Sequence, residues 1–263
     1  MRRASVRRLS TVLTAVAAVA VAGVVASPAA GAAPPPCRVK NATQGTSFAT
    51  VAGLALTRAL ARANPGDRLD IRGKCVGSFV LDKSLDLYGN PNKDDSTVLD
   101  GGRVGRVIVV DPLAVVRMTD LIVTRGYTPS NGGAGIQNVG ELTLIRSYIY
   151  DNHTGGSGGG ILNLGDLTVT RTGVRFNSAA FDGGGMFNAG GGRGIVTYRA
   201  TIADNRSVLG GAGIFSENQL EMHNSLVTRN VTEGHTGGGI LSVAGLVLDN
   251  TRVVGNLPDD CAC

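Results

Sequence analysis

Apolar and polar residues alternate in short runs over the second half of the chain. Leu142-Thr143-Leu144 is followed by Tyr148-Ile149-Tyr150, and Leu167/Val169/Val174, Ile195/Ile202, Leu220/Met222/Val227 and Leu246/Leu248/Val253 fall at matching positions further on. A period of two belongs to half-buried β-strands, so each run predicts a strand with one face in a core. These runs sit inside a longer repeat. Its units open on Gly133-Ala134-Gly135-Ile136, Gly158-Gly159-Gly160-Ile161, Gly183-Gly184-Gly185-Met186, Gly211-Ala212-Gly213-Ile214 and Gly237-Gly238-Gly239-Ile240. They close on Asn152, Asn177, Asn205, Asn230 and Asn256, at spacings of 25, 28, 25 and 26 residues.

Three short strands fit in one such unit, and none carries ten consecutive residues with helical apolar spacing. The predicted fold class is all-β: a right-handed parallel β-helix, a solenoid of about seven coils with three short strands per coil. Stacking pairs each strand with its counterpart in the next coil and buries the apolar columns. Glycine serves turns with positive φ, and the closing Asn residues form a structural ladder hydrogen-bonded along the axis. Further ladder columns read Asn138, Asn163, Asn188, Ser216, Ser242 and Ser147, Thr172, Ala200, Ser225, Thr251.

Upstream the pattern is looser but continues through Val116/Met118/Leu121/Val123, Val107 to Val110, Leu85/Leu87 and Leu69/Ile71. Ahead of it Leu54, Leu56, Ala59, Leu60 and Ala63, followed by Pro65-Gly66, predict an amphipathic helix with a stop signal that covers the first coil. The organisation is then a signal peptide over 1–32, an N-terminal arm over 33–45, a capping helix over 46–66, the β-helix over 67–256 and a C-terminal tail over 257–263.

The leader reading rests on Arg2, Arg3, Arg7 and Arg8, the apolar stretch Leu9 to Val25, and Ala30-Gly31-Ala32, with cleavage after Ala32. It predicts a secreted protein without a stable membrane anchor, and leaves general and twin-arginine export both open. The leader holds four of the 25 Lys and Arg and none of the 20 Asp and Glu, so the formal charge of +5 falls to +1 without it. That removes the electrostatic case for a nucleic-acid partner. Export permits disulfides among Cys37, Cys75, Cys261 and Cys263. Cys37 with Cys75 is the favoured pair, pinning the arm to the first coil, and no metal site is predicted.

Together these features resemble the secreted right-handed β-helix proteins of the pectate-lyase-like superfamily. The stretch Ala63-Asn64-Pro65-Gly66-Asp67 through Gly73-Lys74-Cys75-Val76-Gly77-Ser78-Phe79 and Lys83-Ser84-Leu85 is similar to that group's opening coil. The Gly-Gly-x-Ile elements are similar to polymorphic outer-membrane adhesin repeats, although only Phe176-Asn177 approaches the second adhesin element. The resemblance implies the fold over nearly the whole chain after the leader. It implies no single activity, because the scaffold carries lyases, hydrolases, adhesins and structural rods.

A lyase would need carboxylates converging on Ca²⁺ beside a Lys or Arg base, and a hydrolase two or three Asp across a sugar. No acidic column emerges. Asp94-Asp95 and Asp259-Asp260 read as solvated turns, and Glu141 and Asp166 as a lone stacked pair. His153 and His235 fall three coils apart, His223 faces solvent, and no Ser-His-Asp set is formed. Arg125 with Asp151 and Asp204 with Arg229 read as ion pairs between coils. The column Asp120, Arg146, Arg171, Arg199, Asn224, Asn250 stacks three guanidinium groups, which fan apart in water or meet carboxylate or sulfate. Arg146, Arg171 and Arg199, with the exposed pair Tyr148 and Tyr150, are the candidate ligand contacts. No catalytic residue and no cofactor are predicted. The expected function is a secreted, non-catalytic adhesin or cell-wall-associated binding protein whose partner is an anionic extracellular polysaccharide. A polysaccharide lyase or glycoside hydrolase is the first alternative. A structural protein that self-associates through its C-terminal coil is the second.

Overall fold

The structure, a computed structural model, describes residues 36–50, 53–92, 96–190, 194–234 and 236–263. The leader assigned to 1–32, Asp94-Asp95 and His235 lie outside these. The chain winds as a parallel β-solenoid of about seven turns built from four sheets. Sheet I has ten strands, the last eight running from Asp67–Arg72 through Glu141–Ile145 to Leu246–Asp249. Sheet II has eight, from Lys74–Val76 through Tyr148–Tyr150 to Arg252–Val254. Sheet III stacks five two-residue strands, Tyr127–Thr128 to Val231–Thr232, and sheet IV eight, Phe79–Leu81 to Cys261–Ala262. A full coil thus carries four strands rather than three. The extra one is too short to show an alternation.

Registers join the same column positions that the repeat aligns. Leu69, Leu87, Met118, Leu144, Val169, Thr197 and Met222 pair in succession along sheet I, and all are shut off from solvent. At about 2 kcal/mol for each large apolar side chain buried, such columns supply most of the drive to coil.

The Asn ladder runs inside the corner between sheets II and III. Asn152 Nδ2 donates to Asn177 Oδ1 at 3.0 Å, and the chain continues through Asn205 at 3.1 Å, Asn230 at 2.9 Å and Asn256 at 2.8 Å. Each Oδ1 also accepts the backbone N–H of the Asn one coil earlier. The ladder explains the glycine run on the opposite wall. A Cβ on Gly160 would lie 3.0 Å from the Asn177 amide and 2.6 Å from the Gly185 carbonyl, and the same holds at the third glycine of each unit. Asn and Gly recur together because the lumen between them is one side chain wide.

The two ends are finished differently. At the first coil Arg38–Asn41 pairs antiparallel with Asp67–Arg72 and with Thr46–Ala49. The helix is therefore shorter than 46–66: it spans Leu54–Arg62, and residues 46–49 are a strand, because Gly45 at φ 72° turns the arm back on itself. Ala55, Leu56, Ala59 and Leu60 bury against the first coil, and Cys37–Cys75 is a disulfide. Asp67 accepts hydrogen bonds from Asn41 Nδ2 at 2.7 Å, Asn64 N–H at 2.8 Å and Gln44 Nε2 at 2.6 Å, and these donors, Asn41 foremost, hold its carboxyl below the usual range against the opposing effect of burial.

At the other end the Asp259-Asp260 turn is not solvated filler. Asp260 Oδ1 accepts from Asn256 N–H and Nδ2 at 2.8 and 3.0 Å, standing where the next ladder Asn would be. Asp259 Oδ1 accepts from the N–H groups of Gly237 and Gly238. Cys261 bonds to Cys263. Leu248, in the buried column of Leu144, is 40% exposed there.

Candidate functional site

Each coil turns from sheet I to sheet II, and again from sheet II towards sheet III, through one residue in the left-handed region. The first corner column is Asp120, Arg146, Arg171, Arg199, Asn224 and Asn250, at φ between 45° and 56°. The second is Arg125, Asp151, Phe176, Asp204 and Arg229, at φ between 54° and 58°. Non-glycine residues are uncommon in this conformation. Here they form two continuous rows, one followed by the buried Asn ladder and the other by Ser147, Thr172, Ala200, Ser225 and Thr251, so the repeat imposes the backbone and leaves the exposed side chain open to choice.

The charges of the second column are all matched. Arg229 holds Asp204 through two hydrogen bonds, 2.7 and 2.8 Å, as the stacking implies. Arg125 does not meet Asp151. It pairs with Asp100, which is 1% exposed and is also 2.5 Å from Lys74 Nζ. Burial pushes the Asp100 carboxyl up, but Arg125, Lys74 and the Gly102 N–H together hold it below its ordinary value. Asp151 instead takes both oxygens to Arg103, at 2.9 and 2.7 Å. Arg103 lies in the irregular turn after Asp100, beyond reach of a repeat alignment.

The first column differs. Arg146 is engaged: its Nε and Nη2 lie 2.9 and 2.7 Å from the two oxygens of Asp120. Asn250 Nδ2 donates to Asn224 Oδ1 at 2.7 Å. That leaves Arg171 and Arg199, exposed on successive coils. Neither guanidinium has an ion pair or hydrogen bond with another described residue. The three-Arg stripe is therefore two free cations and one committed ion pair.

Aromatic rings flank the two. Tyr148, 55% exposed, lies across Gly173 in the next coil, where an added Cβ would come within 2.9 Å of its ring. The missing side chain at Gly173 lets the ring lie flat, two residues along from Arg171. Tyr148 and the Asp120–Arg146 pair also line a 240 Å³ depression with Asn90, Pro91, Ser96, Leu121 and Ile122. On the other flank Tyr198 stacks on His223 at 5.0 Å and 12°. His223 is not simply turned to solvent: its Nδ1 is 3.1 Å from Asp249 and its Nε2 3.8 Å from Glu221. Tyr150 is exposed on the same strand as Tyr148 but borders the second corner, at Asp151, so the structure separates it from the Arg residues.

Glu141 and Asp166 are register partners in sheet I, beside a shallow 430 Å³ depression with Val115 and Leu164 on its walls. The structure brings one pair together that the sequence does not announce: His153 Nδ1 and Ser178 Oγ, 2.6 Å apart, with Tyr127 stacked on the imidazole. Among the described residues no carboxylate orients that ring, so the pair has no third member of a triad.

Fold and site together define a parallel β-solenoid with ladder-lined corners and a cationic, aromatic-flanked patch on one of them. No protein-family model matches the chain, and no curated protein or solved structure matches it.

Proposed function

We propose that the protein is a secreted, non-catalytic β-solenoid that binds an anionic extracellular or cell-wall polysaccharide at the corner carrying Arg171 and Arg199. The observation that carries the reading is that, among the described residues, no ion pair or hydrogen bond holds these two exposed guanidinium groups, while every other corner Arg is held by an Asp. Coils repeat at about 4.8 Å, so two cations one coil apart meet successive charges of a linear polymer whose units have a similar rise. Guanidinium groups bind carboxylate and sulfate through paired hydrogen bonds. Tyr148 and Tyr198 offer apolar ring faces on either side. Export rests on the leader, and the likeness to pectate-lyase-like β-helices and adhesin repeats supports an extracellular setting without assigning an activity.

The test is retention on immobilised polymers. The protein is expected to bind polygalacturonate or a sulfated glycan, to be released as salt screens the contact, and to pass through dextran. Equal retention on dextran would reject the reading.

A further inference from the structure

The N-terminal cap carries a second cationic feature, on the outer face of sheet I. Arg38 and Arg72 are direct cross-strand partners in the antiparallel pairing of Arg38–Asn41 with Asp67–Arg72. Like charges placed opposite each other on neighbouring strands repel and weaken the pairing. Both side chains are exposed, and among the described residues neither has an ion pair. The nearest acid in the register, Asp70, is opposite Lys40 and is taken by Arg68 at 2.8 Å. On the far side Arg38 and Lys40 face only Ala49 and Ser47, two small residues that leave the cations uncovered. The result is a trough of 380 Å³ lined by Arg38, Lys40, Arg72, Phe48 and Asp70, among others.

We propose that this trough is a binding site for a tetrahedral oxyanion, a sulfate or phosphate group, held between the Arg38 and Arg72 guanidinium groups with Lys40 beside them. Two forked donors facing each other across one strand spacing can each direct two N–H groups to such an anion. The anion converts a repulsive cross-strand pair into a bridged one. The room left in the trough admits an organic group beside the oxyanion, as in a sulfate or phosphate ester. The site shares no residue with the Arg171–Arg199 corner, so either can fail without the other.

The experiment compares the full chain with the Arg38→Ser/Arg72→Ser variant, at constant ionic strength, by calorimetric titration and thermal unfolding. The probes are inorganic sulfate, inorganic phosphate and a sulfated monosaccharide beside its unsulfated form. Without anion the variant is expected to unfold at the same temperature as the wild type or higher, since a repulsion has been removed. Millimolar oxyanion should raise the unfolding temperature of the wild type and not of the variant. Affinity should fall roughly tenfold for each guanidinium removed. Tighter binding of the sulfated sugar than of free sulfate assigns the ester as the ligand, and equal binding assigns the free anion. An Arg171→Ser/Arg199→Ser protein should respond as the wild type does. The proposal is overturned if wild type and Arg38→Ser/Arg72→Ser respond equally to oxyanion, or if neither responds.

Discussion

The two corner columns flank the same sheet and share a backbone conformation, yet one has its charges settled and the other does not. Along Arg125, Asp151, Asp204 and Arg229 each charge meets an opposite one, either in the column or in the turn beside it. Along Asp120, Arg146, Arg171 and Arg199 the single acid satisfies only Arg146. Since both columns hold the same left-handed backbone conformation, the solenoid's geometry does not explain the difference. What the comparison teaches is that a left-handed corner fixes the main chain and the ladder residue that follows it, while the exposed corner side chain is available for binding.

The comparison breaks hardest from the inside. Asn205 follows the Asp204 corner, donates to Val174 O and Asn230 Oδ1, and accepts from Asn177. Asn205→Ala strands buried donors and acceptors on three coils and is expected to cost about 3 kcal/mol, read as a fall in the urea midpoint with an unchanged slope. Asp100→Ala leaves Lys74 and Arg125 facing each other around a buried hole, and about 2 kcal/mol should be lost, less than a fully buried pair because both cations are partly exposed. Acid offers the same test without mutation. The folded-state pKa of Asp100 is depressed, so its contribution is complete above the unfolded value near 3.9 and is lost as pH falls from there toward the lower folded value. Wild type should therefore destabilise over that window more steeply than Asp100→Asn, as followed by thermal unfolding.

On the surface the effects shrink. Asp204→Ala removes an exposed ion pair and is expected to cost under about 1 kcal/mol. Arg171→Ser/Arg199→Ser removes no pairing among the described residues and should stay within about 0.5 kcal/mol of wild type in denaturant titration. A larger loss there would mean that these residues are structural and that the two columns do not differ.

The coil stack was legible because its signals are repetitive: strand alternation, the Gly-rich openings and the Asn spacing all point to one fold. The ladders could be read for the same reason, since a buried amide at a fixed place in each coil needs a partner one coil away. Legibility failed where the repeat fails. Arg103 belongs to a turn found in one coil, so column alignment pairs Asp151 with its neighbour Arg125 instead. A column of like residues groups Arg146 with Arg171 and Arg199 and hides what its end member, Asp120, does. Thr46–Ala49 merges with the helix in the sequence because four residues cannot display a period, and Asp260 takes over a ladder position that no sequence alignment of Asn residues would show. The Arg38–Arg72 opposition depends on antiparallel register in the cap, which spacing alone does not reveal.

The most direct test of the proposed binding corner is the affinity for polygalacturonate, measured side by side for wild type, Arg171→Ser/Arg199→Ser and Arg229→Ser. All three should fold alike. If Arg171 and Arg199 hold the polymer, the double variant loses at least roughly tenfold in affinity and Arg229→Ser loses none, its charge being already spent on Asp204. Wild-type affinity in the double variant, or an equal loss in Arg229→Ser, would contradict it.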